Sequence, residues 1–256
     1  MRVLYVTSFS PDLYKSSGKR MLESYAAVGA PERMLVCHEG LPDLKNRYPH
    51  DVYDLGTDEF LQTWLEENRD VIPVHLGGDL QPCRCPTRHK RHARHRPGCI
   101  QDWMRRNASR WFRKVASWRY AAEQDADIIF WIDSDCIWKK QLPQKELLRY
   151  FAGTAVFYFR AHRPAPDTGL LGFDLRKGGR EFIDEVCRYY TSKDYRKFDR
   201  YDDGYIVGVV INDKIVATHD VIPKKQSTNH VIPLTSIAQY VDHDKGRNGT
   251  QLNVMI

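Results

Sequence analysis

Five consecutive apolar residues, Ile128 to Ile132, run directly into Asp133-Ser134-Asp135, and the apolar character resumes at Cys136-Ile137-Trp138. An unbroken apolar run of this length suits the middle of a parallel sheet covered on both faces. Residues 2–9, RVLYVTSF, read as a β-branched and aromatic strand, followed by a loop, SPDLYKSSG, and a helical stretch, KRMLESYAAVG. RMLVCHEG reads as a second short strand closed by Gly40, and DEFLQTWLEENRDV as a helix with acids in its first turn. From Trp103 to Ala122, apolar residues three or four apart predict an amphipathic helix with a basic face. TAVFYFRA predicts a strand, DTGLLGFDL a loop and strand, and GREFIDEVCRYYTS a helix, with YIVGVVI and DKIVATHDVI as later elements.

Strands that alternate with helices, without internal repeat, predict an α/β fold around a mostly parallel sheet, as one domain over residues 1–256. Residues 77–102 have almost no apolar positions and read as an insertion within it. The length suffices for a core that needs no disulfides. No run of about eighteen apolar residues occurs, and MRVLYVTSF turns polar too early for a signal peptide. The expectation is therefore a soluble cytoplasmic protein with no membrane partner.

The formal charge of +6 matters less than where it lies. Arg84, Arg88, Lys90, Arg91, Arg94, Arg96, Arg105 and Arg106 crowd one region, and the basic run continues through Arg110, Arg113, Lys114 and Arg119 with one acid, Asp102, among them. Such a surface suits phosphate backbones.

Two carboxylates one residue apart where a strand ends can face one divalent cation, because the chain turns there and strict alternation of side chains lapses. Hard cations such as Mg²⁺ and Mn²⁺ take oxygen ligands and fill their shell with substrate phosphates. Asp133 and Asp135 fit that description, and they equally fit a strand that ends in a polar turn. Arg110 and Lys114, at i and i+4 on the predicted helix, can point together toward a diphosphate, or can form a solvated basic face.

The apolar strand, Asp133-Ser134-Asp135 and the later Asp167-Thr168-Gly169 before LLGFDL resemble the nucleotide-sugar glycosyltransferases of the GT-A (Rossmann-like) type. The resemblance covers roughly residues 1–20 and 103–250. It implies a central sheet flanked by helices, a Mn²⁺ or Mg²⁺ cofactor, and a UDP-sugar or other nucleotide-sugar donor. It further implies a donor site of Thr7, Ser8, Phe9 and Tyr14 at the nucleobase, with Arg110, Lys114 and Lys245 at the phosphates. Asp133, Ser134 and Asp135 would stand at ribose and metal, Thr168 and Gly169 at the sugar, and His243 as a third metal ligand. HDKG departs from the fuller His-x-x-Gly-x-Lys-Pro signature. Glycosyl transfer of the inverting kind needs a base at the acceptor hydroxyl, for which Asp203, Asp202 and Asp167 are available. A retaining mechanism does not.

Within the insertion, Cys83, Cys85, His89, His92, His95 and Cys99 offer soft ligands at short spacing, suited to a structural Zn²⁺, although the spacing matches no standard finger. A basic loop with incidental Cys and His is the alternative. The charge and the outline, similar to phage-encoded glycosyltransferases that act in the host cytoplasm, lead to an expected acceptor in double-stranded DNA, a hydroxymethylated pyrimidine exposed in the major groove or flipped out. A saccharide or protein acceptor is the alternative. Two other classes compete. A haloacid dehalogenase type phosphatase would use Asp133, Thr168, Lys193 and Asp202-Asp203, and a zinc-organised nucleic-acid binder would rest on the insertion alone.

Overall fold

The computed structural model describes residues 1–30, 32–48, 50–71, 106–160, 165–222 and 232–243. The insertion residues Cys83, Arg84, Cys85, Arg88, His89, Lys90, Arg91, His92, Arg94, His95, Arg96 and Cys99, together with Arg105 and Lys245, lie outside the described residues.

Seven strands form the middle layer: β1 (Val3–Phe9), β2 (Arg33–His38), β3 (Asp51–Asp54), β4 (Ile128–Ile132), β6 (Val156–Phe159), β7 (Asp167–Asp174) and β8 (Thr218–Asp220). They lie side by side in the order β3-β2-β1-β4-β7-β6-β8. A separate ribbon pairs β5 (Cys136–Trp138) with β9 (Val241–His243) in antiparallel fashion. The pairings β1·β2, β1·β4, β2·β3 and β6·β8 are parallel, whereas β7 runs against both β4 and β6. The expected mostly parallel α/β sheet is thus present, with one reversed strand next to its centre.

Alternation along the strands divides the core in two. Leu4, Val6, Ile129, Trp131, Leu171 and Phe173 face one side, and Val3, Tyr5, Ile128, Phe130, Ile132 and Leu170 the other. On the first side pack α4 (Glu59–Glu67), α5 (Ala108–Ala122), α7 (Gly179–Thr191) and α8 (Asp203–Asp213); on the second lie α2 (Lys19–Ala27) and α6 (Gln144–Phe151). Short turns α1 (Pro11–Leu13) and α3 (Leu44–Arg47) link them. All five residues of β4 are buried, which explains why their sequence is apolar without alternation.

Three local expectations differ. SPDLYKSSG is helical: Ser10 Oγ caps α1, accepting from Leu13 N, Pro11 occupies the first turn, and Tyr14–Gly18 continue as a π-helical segment. Ser16 and Ser17 donate their hydroxyls to the Leu13 carbonyl, each at 3.2 Å. The amphipathic stretch is helical at Arg106, breaks at Asn107 and resumes as α5 from Ala108, where the Asn107 side chain accepts from Arg110 N; residues 103–105 lie outside the described residues. DTGLLGFD is strand throughout, since Gly172 leaves room for the Phe157 ring of the neighbouring strand where any β-carbon would overlap it.

Among the described residues no helix is long and apolar enough to cross a membrane.

Candidate active site

β1 and β4 are parallel neighbours, so their carboxyl ends open on the same edge of the sheet. Because β7 is antiparallel, its amino end, Asp167-Thr168-Gly169, arrives at that edge as well. The ladder continues one step beyond Ile132↔Leu170: Asp133 N donates to Gly169 O at 2.8 Å. Asp133 therefore leaves the sheet on the face carrying Trp131, two residues earlier, and α5.

On that face Asp133 Oδ1 accepts from Trp131 Nε1 at 2.8 Å and meets Lys114 Nζ at 2.8 Å. The same ammonium lies 2.9 Å from Asp203 Oδ2 and donates to Thr168 O at 2.7 Å. Lys114 is buried, and it donates one hydrogen bond to Thr168 O while forming ion pairs with Asp133 and Asp203. Burial alone would lower its pKa; Asp133 and Asp203 outweigh that, and the net shift is upward. Lys114 thus serves as the hub of α5, β4, β7 and α8, a geometry different from the direct phosphate contact expected of it.

The Asp133 carboxyl is pushed up, first by loss of hydration and then by Asp135 and Asp203, with Lys114 pulling the other way. About a third of its side chain stays exposed (33%), which tempers the effect. The Arg110 guanidinium, one helical turn before Lys114, is lowered by burial and partly restored by Asp133, Asp203 and Asp135. Arg110 thus stands near the same acidic group.

Asp135 belongs to a second cluster. The β5–β9 ribbon puts Cys136 directly opposite His243, and the ligand atoms of Asp135, Cys136 and His243 all lie within 4.8 Å of one another. His243 is 2% exposed, and its Nε2 approaches Asp135 Oδ1 to 3.0 Å without hydrogen-bond geometry. Gly169 joins the two clusters: a β-carbon there would lie 2.9 Å from His243 Cε1, 3.0 Å from Asp167 Oδ1 and 3.5 Å from Asp133 Oδ2. Asp167 Oδ1 accepts from Gly169 N at 3.0 Å and keeps a partly exposed side chain.

Of the residues expected at a nucleobase, Thr7, Phe9 and Tyr14 are buried, and Phe9 packs on Tyr14 with ring centroids 5.6 Å apart. Ser8 alone of that set is partly exposed. Ser134 is buried and its Oγ lies 3.4 Å from Ser17 Oγ, tying the π-helical segment to the turn between the two aspartates. Asp202 holds the chain in place: it caps α8 by accepting from Tyr205 N and is gripped by Arg200 through contacts of 2.7 and 2.8 Å. Arg106 is exposed.

The phosphatase reading fails on position. Lys193 sits exposed in a left-handed turn after α7, close enough to Asp70 to help Arg196 lower that carboxyl, while Lys114 takes the place beside Asp133. Sequence reasoning missed Trp131, Ser17 and Cys136. The first was findable, because residue i−2 on a strand shares the face of Asp133; the other two depend on long-range contacts.

No family model and no curated protein matches the chain. Solved structures do. The apo form of mouse xyloside xylosyltransferase 1 aligns with a TM-score of 0.51 and 11% identity, over 86% of this chain and 85% of that one. The glycosyltransferase GlyE of Streptococcus pneumoniae TIGR4 aligns at 0.47 and 11% identity over 86% of this chain, which spans only 45% of GlyE. The galactosyltransferase LgtC, solved with donor and acceptor sugar analogues, aligns at 0.47 and 14% identity, over 81% of this chain and 70% of that one. The xylosyltransferase match, with the seven-stranded sheet and its helical layers, makes the fold GT-A-like.

Proposed function

We propose that the chain is a metal-dependent glycosyltransferase that moves a sugar from a nucleotide diphosphate to an acceptor hydroxyl. One observation carries the reading. The buried His243 Nε2 meets Asp135 Oδ1 at 3.0 Å outside hydrogen-bond geometry, beside Asp133, at the carboxyl edge of parallel strands. A nitrogen and an oxygen so placed fit ligands that share a cation. The fold shared with a protein named as a xylosyltransferase supports the reading.

In this reading Asp135 and His243 hold Mn²⁺ or Mg²⁺, with Asp133 beside them. The cation, when bound, stabilises the negative charge that grows on the departing diphosphate. Arg110 adds a second positive group on that side. Lys114 keeps Asp133 and Asp203 fixed and partly neutralised, so the cation meets a preorganised cluster. Asp167 is the best-placed acceptor-side carboxylate, since Asp203 is buried in the Lys114 pair and Asp202 is held by Arg200.

For the acceptor we propose a hydroxymethylated pyrimidine in DNA, on the strength of the basic sequence between Arg84 and Arg106. The test is a thermal-shift screen of nucleoside diphosphates with Mn²⁺, then labelled-sugar transfer to hydroxymethylpyrimidine DNA, to saccharides and to protein. Mn²⁺-dependent stabilisation by one nucleotide, lost in Asp135→Asn and His243→Gln, is expected. No stabilisation by any nucleotide would overturn the reading, and transfer only to a saccharide or protein would overturn the acceptor.

A further inference from the structure

We infer that Asp135, Cys136 and His243 form an oxygen, sulfur and nitrogen donor set that binds a thiophilic divalent cation, Zn²⁺ or Co²⁺, in competition with the hard cation of the donor complex. The inference deepens the proposed function, from which it takes the roles of Asp135 and His243. What is new is the sulfur. Cys136 is fully buried (0%) and sits directly across the β5–β9 ribbon from His243, and directly opposed residues of an antiparallel pair project to the same side. Its Sγ lies within 4.8 Å of both the Asp135 carboxylate and the His243 ring nitrogen. His243 Nε2, on a residue only 2% exposed, has no hydrogen bond among the described residues and meets Asp135 across 3.0 Å.

Thiolate favours Zn²⁺ and Co²⁺ over Mg²⁺ and Mn²⁺, whose preferred ligands are oxygens. Tetrahedral ligands at about 2.0–2.3 Å stand roughly 3.5 Å apart, so a small turn of the Cys136 side chain completes three of four positions. As the metal–sulfur bond forms, the thiol proton passes to solvent, and no electron is transferred. Nothing in the hard-cation chemistry requires a thiol here.

The test uses the full chain with Cys83, Cys85 and Cys99 changed to Ser. Of the six cysteines this leaves Cys37, Cys136 and Cys187, and among the described residues neither Cys37 nor Cys187 belongs to a group of metal-ligating side chains. Cobalt chloride added without nucleotide should produce a near-ultraviolet thiolate-to-cobalt absorption band. Cys136→Ser in that background should abolish the band and reduce the ratio of Zn²⁺ to Mn²⁺ affinity by at least about tenfold; His243→Gln should weaken it. Cys136→Val, together with circular dichroism, guards against a folding defect. Zinc-edge X-ray absorption of the parent protein should find one sulfur neighbour, with no variant at position 136 required. Absence of the band, its survival in Cys136→Ser, or a zinc shell of nitrogen and oxygen alone would overturn the inference. All these readings are taken without nucleotide, so failure of nucleotide binding leaves them standing. Intact Mn²⁺-dependent nucleotide binding without a cobalt–sulfur band overturns this inference alone.

Discussion

The backbone amide of Asp133 donates to the carbonyl of Gly169 at 2.8 Å, which joins two segments that the sequence separates by thirty-five residues. This one bond extends the β4–β7 ladder past its last strand pair and fixes where the acidic turn meets the Asp167-Thr168-Gly169 turn. The missing side chain at 169 leaves the space around which Asp133, Asp167 and His243 gather. Gly169→Ala should therefore fold, since its β-carbon meets side-chain atoms and not backbone, but the imidazole and the Asp167 carboxylate must yield. Mn²⁺ affinity in the presence of nucleoside diphosphate, followed by calorimetry, should fall by roughly 10–100-fold. Unchanged affinity would mean that His243 and Asp167 can shift at no cost.

Loss of Lys114 should destabilise the fold. Lys114→Met leaves the Asp133 and Asp203 carboxylates close together with no ammonium between them, and breaking such a buried pair costs about 3–5 kcal/mol. Urea denaturation should show a lowered midpoint. Adding Asp203→Asn to Lys114→Met should recover part of the loss, and strictly additive effects would contradict the pairing.

Gly172 serves packing alone. A methyl group there overlaps the Phe157 ring between two central strands, so Gly172→Ala should cost about 1–3 kcal/mol by overpacking. Thermal unfolding measures this, and an unaltered melting temperature would show that Phe157 has another place to go.

A pH effect is expected at the end of β2, where His38 pairs with Phe9 of β1. His38 is buried, and its Nδ1 accepts from Leu41 N, a role open only to the neutral ring. Burial lowers its pKa, which Asp54, with Oδ1 4.0 Å away, only partly offsets. The unfolded chain thus takes up the proton at a higher pH than the folded one. Stability from this source is complete above the ordinary imidazole value of about 6.5 and is lost as pH falls toward the depressed folded value. His50 is lowered in the same direction by burial. Urea stability should decline on acidification from about pH 7 to pH 5, and His38→Asn should flatten that decline. An identical slope in the variant would exclude His38 as a source.

Much of this architecture was legible along the chain. β4 announced itself because five buried residues facing two layers leave no position for a polar side chain, and α5, α7 and β1 followed from equally plain periodicities. SPDLYKSSG misled because its serines and glycine are turn formers, whereas here Ser10 caps a helix and Ser16 and Ser17 bond back to Leu13. The site was legible as a set of residues but not as an arrangement. Asp133 and Asp135 looked like one pair; the fold gives the first to Lys114 and Trp131 and the second to His243 and Cys136. That division depends on β5 meeting β9 across more than a hundred residues, and no local pattern encodes it.

The Lys114 knot braces β4 against α5 and α8 through Asp133 and Asp203, whereas Asp135 meets His243 on the β5–β9 ribbon. On the proposed reading, substitutions along that short ribbon should alter which ion binds while the main sheet keeps its form, so that selectivity becomes an adjustable fitting on a separate frame.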